Sequence, residues 1–559
     1  MARRRRSDLR RLLGAAALVS LAAVPVAAQE EHQHAHEAGE KLGTVDFPVS
    51  CAPAARARFQ RAVALLHSFA YELADGAFSD VLAADPSCAM AHWGIAMSLF
   101  HPVWAAANPT MAPSPAELAR GLAEIQKAKT PGPPTARERD YVAAAESFFA
   151  DSDRADHPTR AARFARAMEQ VQARYPDDKE AAIFHALGLL GTAAPSDKTH
   201  APERQAAEIL NGVLAQMPDH PGVAHYLIHS FDYPDLAELA LPAARAYAKI
   251  APSAPHALHM PSHIFTRLGL WDESIDANLA AAEAARRVVA RLHPGATAFD
   301  ELHALDYLEY AYLQAGRDAE ATRVVEKVRG VAALDVSNFA AAYALAAVPA
   351  RHALERRDWA AAAALTVGPA SFPWPRFGNA EAITHYARAL GAARRNDLPA
   401  ARESLARVVA LRDGLAAKND TYWAGQVDVL RREAAAWIAR AENRNEDAVR
   451  LLREAAEVED ATDKSPVTPG SILPARQMLA DMLLETGDPA RASVEYDASL
   501  RTAPGRYASL LGAAKAAETS GDAVRARAYY ARLVAQCGRA DTTRTELGKA
   551  RAAVAPSRP

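Results

Sequence analysis

Apolar residues along this chain recur at helical spacing and are interrupted by short polar turns. Alanine, leucine, arginine and glutamate are common and β-branched runs are scarce, a composition that favours helices. The pattern is clearest near the C-terminus, where LADMLLETGDPARASVEYDASLRTAPG precedes LGAAKAAETSGDAVRARAYYARLVAQC. Gly-Asp pairs begin at Gly487 and Gly521, 34 residues apart. The pattern predicts an all-α protein built from repeated helix pairs.

Each Gly-Asp pair is followed by an alanine and a tyrosine at the same offsets: Ala492 and Tyr496, then Ala526 and Tyr530. The small alanine lets two helices approach closely, and the tyrosine covers their contact. Polar turns at other points of the chain predict further pairs. These turns are at Gly316, Asn396-Asp397 and Asn443.

Units of 34 residues with a small residue, an aromatic residue and a closing proline resemble the tetratricopeptide repeat. The resemblance covers roughly residues 55–550 and implies an α-solenoid with a concave groove. The whole chain is also similar to a group of exported bacterial tetratricopeptide proteins without assigned function. The phrases that carry this similarity are CAMAHWGIAMSLFHPVW, HYLIHSFDYPD, HALHMPSHIFTRLGLW and PVTPGSILPARQMLADML. It implies an architecture and export, and it brings no reaction with it.

The N-terminus has the features of a signal peptide over residues 1–28, with a basic start, a short apolar run and small residues at a cleavage site. The apolar run is short for a membrane span, and no later segment is long and apolar enough. We therefore expect a periplasmic or secreted protein. Residues 29–54 are predicted to be a flexible leader that contains the histidine tract EEHQHAHEAGE, and residues 551–559 a C-terminal tail. The array over residues 55–550 is expected to be continuous, with a break near residues 120–140 as the alternative.

The net charge is −3, with 23% charged residues, which gives no support for nucleic-acid binding. The sequence contains no phosphate-binding glycine loop, Gly-x-Ser-x-Gly elbow, CxxC or HExxH motif. An oxidising compartment permits a disulfide between Cys51 and Cys88, with Cys537 left over. Three buried thiols are the alternative.

A pair of histidines recurs with the period of the repeat. His259 and His263 lie 34 residues after His225 and His229, respectively. Histidines four residues apart project from one face of a helix, and neighbouring helices pack about 8–10 Å apart. The four imidazoles should therefore converge, and imidazole suits Zn and Cu. We predict them to be metal ligands. Polar residues inherited by repeat duplication, without any ligand, are the alternative.

Other residues fall on the same predicted groove, as the resemblance to tetratricopeptide repeats implies. They are Asp232, His256, His303, Asp306, Tyr310, Trp93 and His101. Pro261 lies inside the helix drawn around His259, so either that helix is bent or it begins at Pro261 and His256 and His259 lie in the preceding loop. Trp93 is equally explained as a packing aromatic.

Two functions follow from these patterns. The first is a scaffold whose concave groove holds a protein or peptide partner, as repeat proteins do. The second is a metal-binding or metalloenzyme-like protein that uses the histidine cluster with Zn or Cu. No catalytic residue stands out, so the sequence leaves open whether the protein is an enzyme.

Overall fold

The structure, a computed structural model, describes residues 39–105, 111–130, 132–541 and 544–555. Over these residues the regular structure is helical, with one isolated bridge between Thr297 and Leu334. The described residues belong to one compact unit. The predicted signal peptide and the tract EEHQHAH lie outside the described residues.

The helices alternate with short turns, and most neighbours in the sequence pack against each other. In chain order they are α1 (Pro53–His67), α2 (Tyr71–Ala84), α3 (Ala89–Met97), α4 (Pro102–Ala105), α5 (Pro115–Ala128), α6 (Ala136–Phe149), α7 (His157–Arg174), α8 (Lys179–Leu190), α9 (Ala201–Leu214), α10 (Pro221–Phe231), α11 (Ala237–Ile250), α12 (Pro255–His259), α13 (Pro261–Leu268), α14 (Trp271–Leu292), α15 (Phe299–Gln314), α16 (Asp318–Arg329), α17 (Phe339–Glu355), α18 (Trp359–Ala363), α19 (Gly378–Arg394), α20 (Leu398–Ala416), α21 (Thr421–Ala441), α22 (Asn445–Asp460), α23 (Ala475–Glu485), α24 (Pro489–Thr502), α25 (Tyr507–Thr519), α26 (Ala523–Gln536) and α27 (Thr545–Val554).

The chain reverses at the turns that the sequence predicts. Gly316, Gly487 and Gly521 have φ values of 68°, 88° and 79°, and Asn396 and Asn443 have φ values of 61° and 62°. Glycine adopts this left-handed conformation without strain, and asparagine tolerates it better than most residues. Each turn joins two consecutive helices, from α15 and α16 to α25 and α26. The predicted all-α solenoid of helix pairs is confirmed.

The small and aromatic residues of the repeat hold these pairs together. Ala492 and Tyr496 are wholly buried. The Tyr496 ring lies so close to Gly512 of α25 that a Cβ atom at that position would be 2.2 Å from the ring. The missing side chain at residue 512 therefore sets the distance between α24 and α25.

The N-terminal part of the described chain differs from the predicted flexible leader. Residues 39–52 have no helix, but they pack along the array, and the Phe47 ring is wholly buried. The backbone N–H of Thr44 donates to the carbonyl of Asp219 at 3.0 Å. The apolar side chains of Leu42 and Phe47 explain the difference, because they bury against the helices instead of facing solvent. At the other end, α27 continues to Val554, beyond the predicted end at residue 550.

The structure decides between the alternatives that the sequence left open for the cysteines and for the helix around Pro261. Cys51 and Cys88 form a disulfide, and Cys537 is a buried free thiol. Around Pro261 the bent helix is found: α12 and α13 meet at Met260, whose backbone is helical with φ −52° and ψ −37°. His259 is thus helical and does not lie in a loop.

The middle of the array is closed by a segment far away in the sequence. Every side chain of α15 from Glu301 to Gln314 is buried. The segment at residues 463–473, between α22 and α23, packs against this helix: the hydroxyl of Tyr307 donates to the carbonyl of Thr468 at 3.0 Å. Among the described helices, none has the length and apolar character needed to cross a bilayer.

Candidate metal centre

Six histidines from α10, α12, α13 and α15 meet in the interior of the central repeats, with 0–8% of each residue exposed. They form two sets of three, and in each set one ligand nitrogen per residue lies within 4.8 Å of the other two. The first set is His225, His229 and His256, and the second set is His259, His263 and His303.

In the first set the Nε2 atoms face one another. The Nε2 atom of His225 lies 3.1 Å from that of His229 and 3.2 Å from that of His256. His225 and His229 are one turn apart on α10, and His256 comes from α12 of the next repeat. Adjacent helices therefore supply three imidazole nitrogens to one point.

The ring of His225 is oriented by the backbone of α1. Its Nδ1–H donates to the carbonyl of His67 at 2.7 Å, so its Nε2 carries a lone pair. The imidazole of His67 lies between the hydroxyl of Tyr226 and the carboxylate of Glu180, at 2.9 Å from each. Glu180 also accepts from the Nε2–H of His220 at 2.9 Å. Burial would raise the pKa of Glu180, but the two histidines outweigh it and lower the pKa to about 2.

The second set repeats this arrangement one repeat further along the array. The Nε2 atoms of His259 and His263 are 3.1 Å apart. The ring of His303, from α15, lies 4.3 Å from the ring of His259 between centroids. His259 and His263 are four residues apart across the bend at Pro261, so the bend keeps both side chains on one face.

His259 and His263 both donate their Nδ1–H to a residue outside the set. The Nδ1–H of His263 donates to the carboxylate of Asp232 at 3.0 Å. The Nδ1–H of His259 donates to Oδ1 of Asn278 at 2.7 Å, and the amide nitrogen of Asn278 donates to the carbonyl of Ser274 at 2.8 Å, which fixes the amide orientation. Both Nε2 atoms therefore carry lone pairs, which point at each other across 3.1 Å.

Asp232 is itself held by two cations. Its Oδ1 accepts from Nε of Arg267 at 2.8 Å, and its Oδ2 accepts from Nζ of Lys464 at 3.2 Å. Burial would raise the pKa of Asp232, but these two cations and the bond from His263 hold that pKa well below its usual range. A carboxylate that orients a histidine through Nδ1 is the usual outer support of a metal ligand.

The two sets adjoin. The rings of His229 and His263 are 6.2 Å apart between centroids, and so are those of His256 and His259. The ring of Phe69 covers the first set, 4.3 Å from the ring of His225. Phe69 has a φ of 53°, an uncommon conformation for a residue with a side chain.

Burial lowers the pKa of all six imidazoles. Burial therefore favours the neutral form of imidazole, which is the form that binds a metal.

A small cleft leads towards the centre and is bordered by His229, Asp232 and Lys464. Its outer walls are formed by residues from several helices and from the closing segment: Val103, Leu190, Ala193, Pro195, Glu203, Tyr233, Asp463 and Pro466. Because only 5% of His229 is exposed, the passage to the imidazoles is narrow.

The four histidines predicted as ligands are all in this centre, but they are divided between the two sets and do not form one nest. His225 and His229 belong to the first set, and His259 and His263 to the second. His256 and His303, which the sequence placed only on the groove, complete the two sets. Asp232 supports His263 from behind.

The other predicted groove residues do not join the centre. Asp306 accepts from Arg351 at 2.7 Å, and the hydroxyl of Tyr310 accepts from Arg506 at 3.2 Å, in a separate buried cluster of charges. Trp93 packs at 5.3 Å from the ring of Phe184 in the N-terminal core. His101 packs against the ring of Tyr71, with 4.7 Å between centroids.

Most of these side chains are buried and do not line an open groove, because neighbouring repeats and the segment at residues 463–473 cover them. Sequence reasoning also missed His67, Glu180, Asn278 and Lys464. A signal for His67 was present, since LLHSF at residues 65–69 repeats LIHSF at residues 227–231. Lys464 lies 232 residues from Asp232, so no local pattern connects them.

Comparisons with known proteins add no argument to what the structure itself shows. No protein-family model and no curated protein sequence matches the chain. Among solved structures, a human IFIT1 dimer with m7Gppp-AAAA has 9% identity and a TM-score of 0.34, covering 84% of this chain and 94% of that one. Yeast Tom70 has 11% identity and a TM-score of 0.28, with 89% and 95% covered. The tetratricopeptide domain of P58(IPK) has 15% identity and a TM-score of 0.20, with 67% and 98% covered. At these scores the likeness carries no argument about a ligand.

Proposed function

We propose that this protein binds two transition-metal ions, Zn or Cu, each held by three histidines in the interior of a helical repeat array. The observation that carries this proposal is the pair of Nε2 lone pairs on His259 and His263, which face each other at 3.1 Å. Two acceptors at that distance repel each other unless a cation lies between them. A transition metal removes the repulsion by accepting both lone pairs.

The spacing supports a metal in each set. With metal–nitrogen bonds of about 2.0–2.1 Å, two imidazole nitrogens of a tetrahedral site lie about 3.3 Å apart. The Nε2 contacts of 3.1–3.2 Å are close to that value. Three protein ligands per ion leave one coordination position open, as in catalytic metal sites.

The outer residues support the same proposal. Carbonyl, amide and carboxylate oxygens accept the Nδ1–H of His225, His259 and His263. Such bonds fix the ring and the tautomer, so that Nε2 is available to the metal. If no metal were bound, at least one of the two facing nitrogens in each pair of buried histidines would be expected to carry a hydrogen and donate it to the other.

A helical repeat scaffold is also a surface for partners. A protein or peptide partner stays a prediction from the sequence, as does export to the periplasm or the exterior. Neither is needed for the metal centre, and the buried histidines are closed to a peptide chain.

Metal content tests the proposal directly. The chain from residue 29 onwards would be purified without a histidine tag or chelator, incubated with Zn or Cu, desalted and measured by plasma mass spectrometry. We expect about two ions per chain, one for each three-histidine set. Fewer than about half an ion per chain under all loading conditions would contradict the proposal.

Three variants locate the ions. The double variant His225→Ala/His263→Ala removes one ligand from each set and should lose both ions. His185→Ala is the matched control, because His185 is buried and bonded to Gln172 at 2.6 Å outside the centre, so its loss should leave both ions bound. A chain that begins at residue 39 lacks the histidine tract and should also keep both. Retention of metal by the double variant, or its loss with the tract, would place the ions elsewhere.

A further inference from the structure

We propose that the outer end of the cleft beside the histidine centre binds a small primary amine, whose ammonium group is held by Glu203 and Asp463. Both carboxylates border the cleft, and neither belongs to a three-histidine set. The amine site therefore stands whether or not the centre holds metal.

Four separate parts of the chain meet at this end of the cleft. Glu203 lies in the first turn of α9, and His200 directly precedes that helix. Tyr233 follows α10, and Asp463 begins the closing segment at residues 463–473. The ring of His200 packs on that of Tyr233, with 4.0 Å between centroids. Tertiary packing thus brings two carboxylates and an imidazole together at the border of one cleft.

Each of the two carboxylates has one oxygen with a partner and one without. Oε1 of Glu203 accepts from the hydroxyl of Tyr233 at 2.6 Å, and Oδ1 of Asp463 accepts from Nζ of Lys198 at 2.6 Å. Oε2 of Glu203 and Oδ2 of Asp463 have no hydrogen-bond partner among the described residues, although only 2% and 8% of the two residues are exposed. A buried acceptor without a donor is costly, so these two oxygens indicate a ligand that supplies donors.

A third polar atom without a partner lies beside them. Nδ1 of His200 is buried and has no hydrogen bond within the part of the chain that the structure describes. It is 3.8 Å from Oδ2 of Asp463 and 3.9 Å from Oε1 of Glu203, and both distances are too long for a hydrogen bond. A neutral imidazole accepts at the nitrogen that carries no hydrogen. Three acceptors are thus available, and a primary ammonium group has three N–H donors.

The charges favour an ammonium group over a neutral donor. Over the described ranges, His200 is the only basic side chain within 4.0 Å of Glu203. Asp463 pairs with Lys198, which is 47% exposed. A buried carboxylate needs a cation nearby, and a cationic ligand supplies one. A metal ion is a poorer candidate, because Glu203 and Asp463 are in none of the groups of three metal-binding side chains with ligand atoms within 4.8 Å of one another in the described chain.

The walls of the cleft indicate what the ammonium group is attached to. Val103, Leu190, Ala193, Pro195 and Pro466 give the cleft apolar sides. A short hydrocarbon chain would contact these side chains, whereas a negatively charged group would be repelled by the two carboxylates. A short alkylamine is therefore the simplest ligand of this class.

Calorimetric titration with n-propylammonium chloride tests the proposal. The chain from residue 29 onwards would be treated with a chelator and titrated at pH 7, where an alkylamine is protonated and no metal competes for its lone pair. We expect saturable binding of about one propylammonium per chain. Its affinity should be at least about ten times that of n-propanol or propionate, which have the same chain length without the cation.

Variants that remove one charge at nearly constant size locate the ammonium group. Glu203→Gln and Asp463→Asn should each weaken binding of propylammonium by about 10-fold or more, because each loses a charge-assisted hydrogen bond. Glu208→Gln is the matched control on α9, since Glu208 is exposed, and it should leave the affinity unchanged. Circular dichroism establishes that each variant is folded. If one is not, the preference of the unsubstituted protein for propylammonium over propanol decides the matter.

The outcomes are separate from those of the metal test. Equal affinity for propylammonium and propanol, or no binding of the amine, would overturn the proposal and mean that water satisfies the three atoms. Unchanged affinity in both variants would also overturn it, by placing the amine elsewhere. Absence of metal from the protein would overturn the metal centre and leave the amine site standing.

Discussion

Two buried polar clusters lie one turn apart along α15, and their polar atoms face different partners. His303 belongs to the histidine centre, while Asp306 and Glu309 accept from the buried guanidinium of Arg351 at 2.7 and 3.1 Å. In the arginine cluster, the guanidinium donates hydrogen bonds to both carboxyl groups. The histidine centre directs lone pairs at lone pairs. Burial alone therefore does not identify a functional site, whereas buried acceptors that face each other support the proposed metal centre.

Removing the cation of the arginine cluster should damage the fold and spare the metal. Arg351→Ala leaves the buried carboxyl groups of Asp306 and Glu309 without their cationic donor, which should lower the free energy of unfolding by about 3–5 kcal/mol. Denaturant unfolding measures the loss. Arg323→Ala is the control, because 67% of that side chain is exposed. A loss below about 1 kcal/mol for Arg351→Ala would mean that the contacts of Arg351 in this cluster contribute little to the stability of the fold.

Removing the metal should lower the stability of the unsubstituted protein and leave the stability of a variant without the ligands unchanged. A ligand that binds only the folded state stabilises it by about 4 kcal/mol when the free ligand is a thousand times its Kd. The metal-loaded protein should therefore unfold at higher denaturant concentration than the chelated protein. The double variant His225→Ala/His263→Ala should unfold alike with and without chelator. An equal shift in that variant would place the stabilising ion outside the centre.

The outer carboxylates of the two clusters should differ in their effect on metal binding. Asp232→Asn removes the charge that orients His263, and such changes weaken metal affinity by about 10–100-fold. Asp306→Asn is the matched change in the arginine cluster and should leave affinity unaltered. Competition with a chromophoric chelator measures both. Equal metal affinities in the two variants would show that Asp232 does not support the metal ligands.

The arginine cluster should also produce a dependence of stability on pH. Burial raises the pKa of Glu309 from 4.5 to about 8 against the opposing charge of Arg351, because one guanidinium does not neutralise two buried carboxylates. Folded Glu309 thus holds its proton more tightly than the unfolded residue. Its contribution to stability is complete below pH 4.5 and is lost as the pH rises towards 8.

The Glu309→Gln variant isolates this effect, since glutamine is neutral at every pH. Between pH 5 and 8, the free energy of unfolding of the unsubstituted protein should fall relative to the variant, with a slope of up to about 1.4 kcal/mol per pH unit. Denaturant unfolding of both proteins at each pH gives the difference. Parallel curves would show that Glu309 is ionised in the fold throughout this range.

The sequence predicted the fold well because local patterns encode it. The period of 34 residues, the left-handed turns at glycine and asparagine and the buried Ala492 and Tyr496 all follow from short-range spacing. The flexible leader was predicted too long, since the apolar residues Leu42 and Phe47 bind to helices distant in the sequence.

The candidate site was predicted in part. The repeated pairs of histidines gave the four residues of α10, α12 and α13, because neighbouring repeats place equivalent positions side by side. Their division into two sets depends on ring orientation, which the Nδ1 bonds to the carbonyl of His67, to Asn278 and to Asp232 determine. Those partners lie up to 158 residues away, beyond the reach of any spacing rule.

Anomalous scattering from a crystal of the metal-loaded protein tests the central claim most directly. We expect two peaks in the interior, each about 2.0–2.1 Å from one nitrogen of three histidines, with His225, His229 and His256 at one peak and His259, His263 and His303 at the other. A single interior peak, peaks only at the surface, or well-ordered imidazoles with no peak between them would contradict it.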